Sequence, residues 1–262
     1  MNALAARRRH PAALVILILI GLIATGGLYA VLAPKPAQAQ AGATPEDVQV
    51  GRQLFLSNCA TCHGKSAGGV TKVGPSLIGV GAASVDFQVG TGRMPLAAPG
   101  VQAPRKDPAF TTEQTSQMAA YVASLAPGPA IPEETYTEGV GGNQANGAEI
   151  FRVNCSMCHN YAGSGGALSR GKYAPQVRGV EGRYIYMAML TGPQSMPVFN
   201  DQNLTPRDKN DVIAFIKALD ESENRGGHSL GNFGPVGEGF FLWGIGIFLV
   251  LAAAVWLGRK AA

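Results

Sequence analysis

The sequence predicts a mostly α-helical chain in which two small, similar domains stand in tandem between an N-terminal and a C-terminal membrane helix. Three observations carry this. Long uncharged apolar runs lie near both ends, the sequence between them repeats one order of parts, and each repeat closes on a capped amphipathic helix with no alternating strand pattern.

Residues 12–33, AALVILILIGLIATGGLYAVLA, hold no charged group over 22 positions. As a helix they span about 33 Å, against a hydrocarbon core of about 30 Å. Residues 239–257, GFFLWGIGIFLVLAAAVWL, are similar, with Trp243 and Trp256 near the two ends as interface anchors. Neither run has a polar face to turn toward water, which argues against a buried core helix. Arg7, Arg8 and Arg9 precede the first run, and Arg259 and Lys260 follow the second. Positive flanks stay on the cytoplasmic side, so the 1–11 segment and the C-terminus are expected inside the cell membrane and everything between the spans outside it. Of the 21 Lys and Arg, 16 remain after removing these five, against 17 Asp and Glu. The net charge of +4 therefore reports topology and implies no nucleic-acid partner. AQAQA, residues 37–41, offers a signal-peptidase site after Ala39. The first run exceeds the usual apolar length of a signal peptide, roughly 7–15 residues, which favours an anchor that stays attached.

Stretches rich in Pro, Gly and polar residues, 33–45, 127–146 and 222–237, read as extended linkers. They bracket domains at 46–126 and 147–221, each too small to rest comfortably on an apolar core alone. The two domains share their order of parts. A short amphipathic helix (Val50, Leu54, Phe55; then Ile150, Phe151, Val153) runs into Cys-x-x-Cys-His. A loop with a proline follows, VGPSLIGVG at 73–81 and YAPQVRGVEG at 173–182, and then TGRMP at 91–95 and TGPQSMP at 191–197. The closing helices begin at Thr111, with Gln114 completing a capping box, and at Thr205, with Pro206 at the first helical position. Met118, Tyr121, Val122 and Leu125 form the apolar stripe of the first, and Val212, Ile213, Phe215, Ile216 and Leu219 that of the second.

Cys59, Cys62 and His63, and again Cys155, Cys158 and His159, have the spacing of c-type haem attachment. Two thiols three residues apart add to the two vinyl groups of one haem while the adjoining histidine reaches its iron. A covalently held cofactor also compensates for a small core. A disulfide, a thiol-exchange pair or a zinc site built from all four cysteines are the rival readings; none needs a following histidine twice. The expected cofactors are two covalently bound haem c.

The second axial ligand follows by elimination. Besides the motif histidines only His10 and His228 exist, and neither lies in a haem domain. Met94 and Met196, each before a proline at matching places, are the expected iron ligands opposite His63 and His159. Met187 and Met189 compete with Met196; Met118 fits the core stripe, and Met157 is inside the attachment motif. Iron with both axial positions filled exchanges single electrons and has no site for peroxide, so no catalytic residue is assigned. Pro75 and Pro175 follow their histidines in loops where a backbone carbonyl is expected to accept the Nδ1 hydrogen bond that orients each ring, a simple turn being the alternative reading of each proline.

The strings GPSLIGVG, FQVGTGRMP, QAPRKDP, GGALSRGKYAP, AMLTGPQSMP and GNFGPVGEG, together with the motifs, make the chain resemble the dihaem cytochrome c subunit of the actinobacteria-type menaquinol:cytochrome c oxidoreductase, the bcc complex. The resemblance covers almost the full length. It implies a mostly α fold of two tandem class I cytochrome c domains with N- and C-terminal transmembrane helices, and the axial pairs His63/Met94 and His159/Met196. It also implies a cytochrome b subunit, a Rieske iron–sulfur subunit and a haem–copper terminal oxidase as partners. The chain would then be a translocase subunit with no quinol site of its own. Other dihaem carriers, such as a subunit of another oxidase or of a periplasmic dehydrogenase, share the motifs, and a dihaem peroxidase would need one open iron. The loop LAAPGVQAPRKDPAF, 96–110, reads either as a solvated excursion or as a site where Arg105 and Lys106 meet an acidic partner.

Overall fold

The computed structural model describes residues 11–32, 43–221 and 235–261. The 1–11 flank up to residue 10, the site after Ala39, and linker residues 33–42 and 222–234, with His10 and His228, lie outside the described residues. The chain divides into two units, residues 1–38 and 39–262.

The described residues of the first unit form one helix, α1 (Pro11–Leu32), long and apolar enough to cross a membrane. Its large apolar side chains are exposed all round, from Leu14 to Leu28. That is the pattern of a helix whose solvent is lipid.

The second unit opens with α2 (Pro45–Asn58). Thr44 and Asp47 form a reciprocal capping box at its start, with Pro45 at the first turn. After α3 (Ala60–His63) and a loop come α4 (Gly81–Gly90) and α5 (Thr112–Leu125), the latter capped by Thr111 and Gln114. The second half repeats this. It has α6 (Gln144–Asn154), α7 (Ser156–His159), α8 (Gly182–Thr191) and α9 (Pro206–Glu221), the last capped by Thr205 with Asp208. A two-residue antiparallel pair, β1 (Gly166–Ala167) with β2 (Tyr173–Ala174), is the only strand pairing among the described residues apart from an isolated bridge at Val70 and Gly74. The unit ends in α10 (Pro235–Phe241), a π-helical turn (Leu242–Gly246) and α11 (Ile247–Ala261), together a second helix long enough to span, with the Lys260 ammonium over the Trp256 ring at 4.8 Å.

Each half is built on a helix crossing that only glycine permits. A Cβ on Gly51 of α2 would lie 1.9 Å from the Gln117 carbonyl oxygen, and one on Gly147 of α6 would lie 1.9 Å from that of Asp211. The close approach brings equivalent rings together: Phe55 meets Tyr121 at 5.3 Å and Phe151 meets Phe215 at 5.4 Å. Met118 and Val122 complete one core, and Val212, Ile213 and Ile216 the other. Met118 is thus a core residue. Val153 is 72% exposed and stands off the stripe of its helix.

The stretch 127–146 is not a free linker. Its Pro129 carbonyl accepts from Ala83 N at 3.1 Å, Gly139 N donates to Asn210 Oδ1 at 2.9 Å, and Asn143 N donates to Asp211 Oδ1 at 2.7 Å. Thr137 is buried, and its carbonyl sits where a Cβ on Gly182 would fall. The Pro and Gly content that suggests solvation instead lets the backbone press against α4, α8 and α9, where side chains far along the sequence satisfy its polar groups.

Two helices that the sequence pattern does not announce, α4 and α8, join the halves. Ala83 and Phe87 pack on Met187, with Tyr184, Ala188 and Leu190 around them. Phe87 and Tyr184 meet edge to face at 6.4 Å. Arg183 forms an ion pair with the buried Asp86, and Tyr184 OH donates to the Gly90 carbonyl at 3.3 Å. The loop at 96–110 is fastened across the gap. Gln102 Nε2 donates to the Tyr173 carbonyl at 2.8 Å while Tyr173 N donates to Gln102 Oε1 at 2.9 Å, and Gln194 pairs in the same reciprocal way with the backbone of Ala103. An apolar contact reinforced by four hydrogen bonds between glutamine side chains and backbone and by an ion pair holds the two halves in one orientation, where a bare linker would leave them to swing.

Candidate functional site

The attachment motifs begin where the first helix of each half stops. Cys59 caps α2 through its N–H to the Phe55 carbonyl, and Cys155 caps α6 through its N–H to that of Phe151. A single further turn then carries the second cysteine and the histidine: Cys62 and His63 in α3, Cys158 and His159 in α7. All four thiols are free. Among the described residues no three His, Cys, Asp or Glu groups converge as ligands for a bare metal ion, so the four cysteines do not form a zinc site.

Both histidines are oriented in the same way. His63 Nδ1 lies 2.8 Å from the Pro75 carbonyl oxygen, and His159 Nδ1 lies 2.8 Å from that of Pro175. A carbonyl only accepts, so each Nδ1 carries the proton and each Nε2 keeps a free lone pair, the tautomer an iron ligand requires. The loops that present these carbonyls are closed by matching bonds. Gly69 N donates to His63 O at 2.8 Å and Leu77 N to Ala67 O at 2.8 Å; in the other half Gly165 N donates to His159 O and Val177 N to Gly163 O, both at 2.9 Å. Burial lowers the His159 pKa, opposed by the Pro175 carbonyl, and favours the neutral ring. The Cys155 thiol is pushed up to about 11, first by burial and then by the neighbouring Cys158, and so presents an uncharged sulfur.

In the second half a largely apolar cavity lies between His159 and Met196, walled by Cys155, Cys158, Phe151, Val212 and Ile216. Met189 also reaches this cavity, whereas Met187 is fully buried in the contact between the halves. Met157 is 87% exposed. The loop bearing Met196 is fastened beyond it: Phe199 N donates to Met189 O at 2.7 Å, and the fully buried Lys209 donates to Asp201 and to the Leu204 carbonyl beneath the Tyr186 ring. Met94, its N–H bonded to Gln88 O at 2.9 Å, packs against the core of the first half. In the second half an imidazole of fixed tautomer, a thioether, two thiols and apolar walls fit a covalently held haem; in the first half the histidine geometry and the paired thiols recur, with Met94 packed on the core.

Sequence reasoning missed the residues that cross between the halves. Phe87, Arg93 and Gln102 of the first half line the cavity of the second. The sequence marks only Gln102 among them, within the loop 96–110, which reads equally as a solvated excursion. Arg105, Lys106 and Asp107 of that loop, with Asp86, Glu181 and Tyr184, line a separate polar cleft at the junction.

A family model described as "Cytochrome C oxidase, cbb3-type, subunit III" matches the chain twice, over residues 46–122 and 142–216. The chain is 44% identical over 252 residues to the "Cytochrome bc1 complex cytochrome c subunit" of Mycobacterium tuberculosis, covering 94% of this chain and 90% of that one. It is 44% identical over 260 residues to the protein of the same name from Corynebacterium efficiens, covering 92% and 87%. The Corynebacterium diphtheriae protein is 41% identical over 271 residues, covering 97% and 95%. Similarity this high, running from one apolar helix through both attachment motifs to the other, places the chain in the family of cytochrome bc1 complex cytochrome c subunits of actinobacteria, electron-transfer proteins with a duplicated cytochrome c domain.

Proposed function

We propose that the chain binds two haem c groups, one on Cys59 and Cys62 with His63 and Met94 as axial ligands, the other on Cys155 and Cys158 with His159 and Met196. We further propose that it relays single electrons from a Rieske iron–sulfur subunit to a haem–copper terminal oxidase, in an assembly that includes a cytochrome b subunit and acts as a quinol–cytochrome c reductase. The domains are 46–126 and 147–221. They lie on the extracytoplasmic face of the cell membrane, with both termini cytoplasmic, as the Arg and Lys flanks of the two spans indicate.

The observation that carries the reading is the duplicated histidine geometry, each Nδ1 held at 2.8 Å by a proline carbonyl, with a methionine supplied by a loop on the far side of its pocket in the second half and packed on the core in the first. Bound haem supplies one-electron chemistry, and thioether ligation favours its reduced state. The protein's part is to hold and orient. The proline carbonyls fix the imidazoles, Met94 and Met196 leave no position for peroxide, and the clamped halves keep the two sites at one separation. Quinol chemistry belongs to the partner subunits.

Two measurements test this. Denatured protein must retain haem stain in amounts that fall by half in Cys155→Ala, Cys158→Ala. The sulfur-to-iron charge-transfer absorption must fall by half in Met94→Ala and again in Met196→Ala. Retention of the full band in Met196→Ala, with its loss in Met189→Ala, would reassign the second ligand; co-purification without cytochrome b or Rieske polypeptides would reject the assembly.

A further inference from the structure

The cavity holding His159 and Met196 is not closed by its own half alone. Arg93, from the first half, reaches its lining. This residue immediately precedes Met94, so a single peptide bond joins a group in the second pocket to the ligand assigned to the first iron. The guanidinium is held in place. Its Nη1 donates to Thr91 Oγ1 at 2.6 Å, its plane lies over the Phe87 ring at 4.6 Å, and Thr91 is itself buried and anchored to the Phe87 carbonyl. It is half-buried, and among the described residues no carboxylate pairs with it. A fixed, partly desolvated cation without a counter-charge is costly to maintain unless something anionic completes it.

We propose that Arg93 is shared by both centres: adjacent in the chain to the first iron's ligand, it provides the cationic partner for a propionate carboxylate of the haem held by Cys155 and Cys158. This rests on the haem assignment above. Haem c is the one component of that pocket that brings carboxylates, and a planar guanidinium matches a carboxylate in a way an ammonium does not. The electrostatic consequence has a fixed sign. Reduction adds one negative charge to the centre, the guanidinium stays protonated throughout, and a nearby positive charge therefore favours the reduced state. Removing it lowers the midpoint potential of the second haem. For a charge about 10 Å from iron at an effective dielectric near 20, the change is on the order of tenfold in the oxidised-to-reduced ratio at a given potential, or about 59 mV for a one-electron couple.

Spectroelectrochemical titration of the full dihaem chain tests this, with the second haem identified as the component displaced to low potential in Met196→His. In Arg93→Gln and Arg93→Met the second midpoint is expected to fall by about tenfold in that ratio, and Arg93→Lys, which keeps the charge, to return within about threefold of wild type. The charge-transfer band of Met94 reports that each variant is folded. Two components with the second unmoved in Gln and Met overturn the role of Arg93 and leave the haem assignment standing. An equal shift in Lys and Gln also overturns it, because packing and not charge would then be the cause. A wild-type chain that carries fewer than two covalently bound haems per polypeptide overturns the haem assignment, and this inference with it.

Discussion

Alanine at Gly147 puts a number on the crossing of α6 and α9. The added Cβ would sit 1.9 Å from the Asp211 carbonyl oxygen and 2.9 Å from Val212 N, backbone atoms that no rotamer change can move. Restoring an ordinary 3.4 Å contact requires the helices to part locally by about 1.5 Å. A gap of only about 0.5–1 Å already forfeits a quarter to a half of a dispersion contact. Phe151, Val212 and Ile213, all fully buried, meet at this crossing. Overpacking costs about 1–3 kcal/mol, and a clash with fixed backbone falls at the upper end. Against it stands the helix preference for alanine over glycine, about 0.5–1 kcal/mol in the opposite direction. The clash wins, with a net loss of about 2 kcal/mol. That is a large share of the roughly 4–11 kcal/mol available to a domain of some 75 residues. Urea unfolding followed by far-ultraviolet circular dichroism would show it as a midpoint lower by about 1 M, at an m-value near 2 kcal/mol/M. Gly51→Ala, facing Gln117 O at the same 1.9 Å, shares the sign. A Gly147→Ala midpoint at or above wild type would mean that propensity decides and that the crossing is not as close as described.

Two further outcomes are expected. Arg183→Ala leaves the buried Asp86 carboxylate without its partner and should lower thermal stability by about 2 kcal/mol while speeding proteolysis between the halves; Asp86→Asn added to it should recover part of the loss, and no recovery would deny the pair its role. Asp208 accepts from the Thr205 hydroxyl and backbone N–H, bonds that hold its carboxyl below the usual range. Its contribution is complete above the unfolded value of about 3.9 and is lost as pH falls through the lowered native value, so Asp208→Asn should flatten the acid limb of the stability profile and cost about 1 kcal/mol at neutral pH.

What the letters disclose and what they conceal divides along physical lines. The attachment motifs and the capped helices α5 and α9 are local: spacing and cap chemistry within a few residues determine them, whereas the carbonyls that meet His63 and His159 come from 12 and 16 residues further on. Helices α4 and α8 escape because a helix buried on nearly every side has no polar face to mark its period; in α4 even Asp86 is inside, neutralised by Arg183 ninety-seven positions away. The stretch 127–146 misleads for a related reason. Its composition is that of a solvated tether, and groups far along the chain, Ala83 before it and Asn210 and Asp211 some seventy residues later, reveal that its polar backbone is spoken for. Arg93 reads as an ordinary loop cation until the second half folds against it.

The stapled stretch between the halves also governs how such a chain can be taken apart. Cleaving it would not liberate a pair of independent carriers, because Phe87 and Tyr184 would each face water on a newly opened surface and Thr137 would no longer cover Gly182. What began as two copies of one module now survives only as a single indivisible body, and fragments made at that seam should stick to one another rather than diffuse.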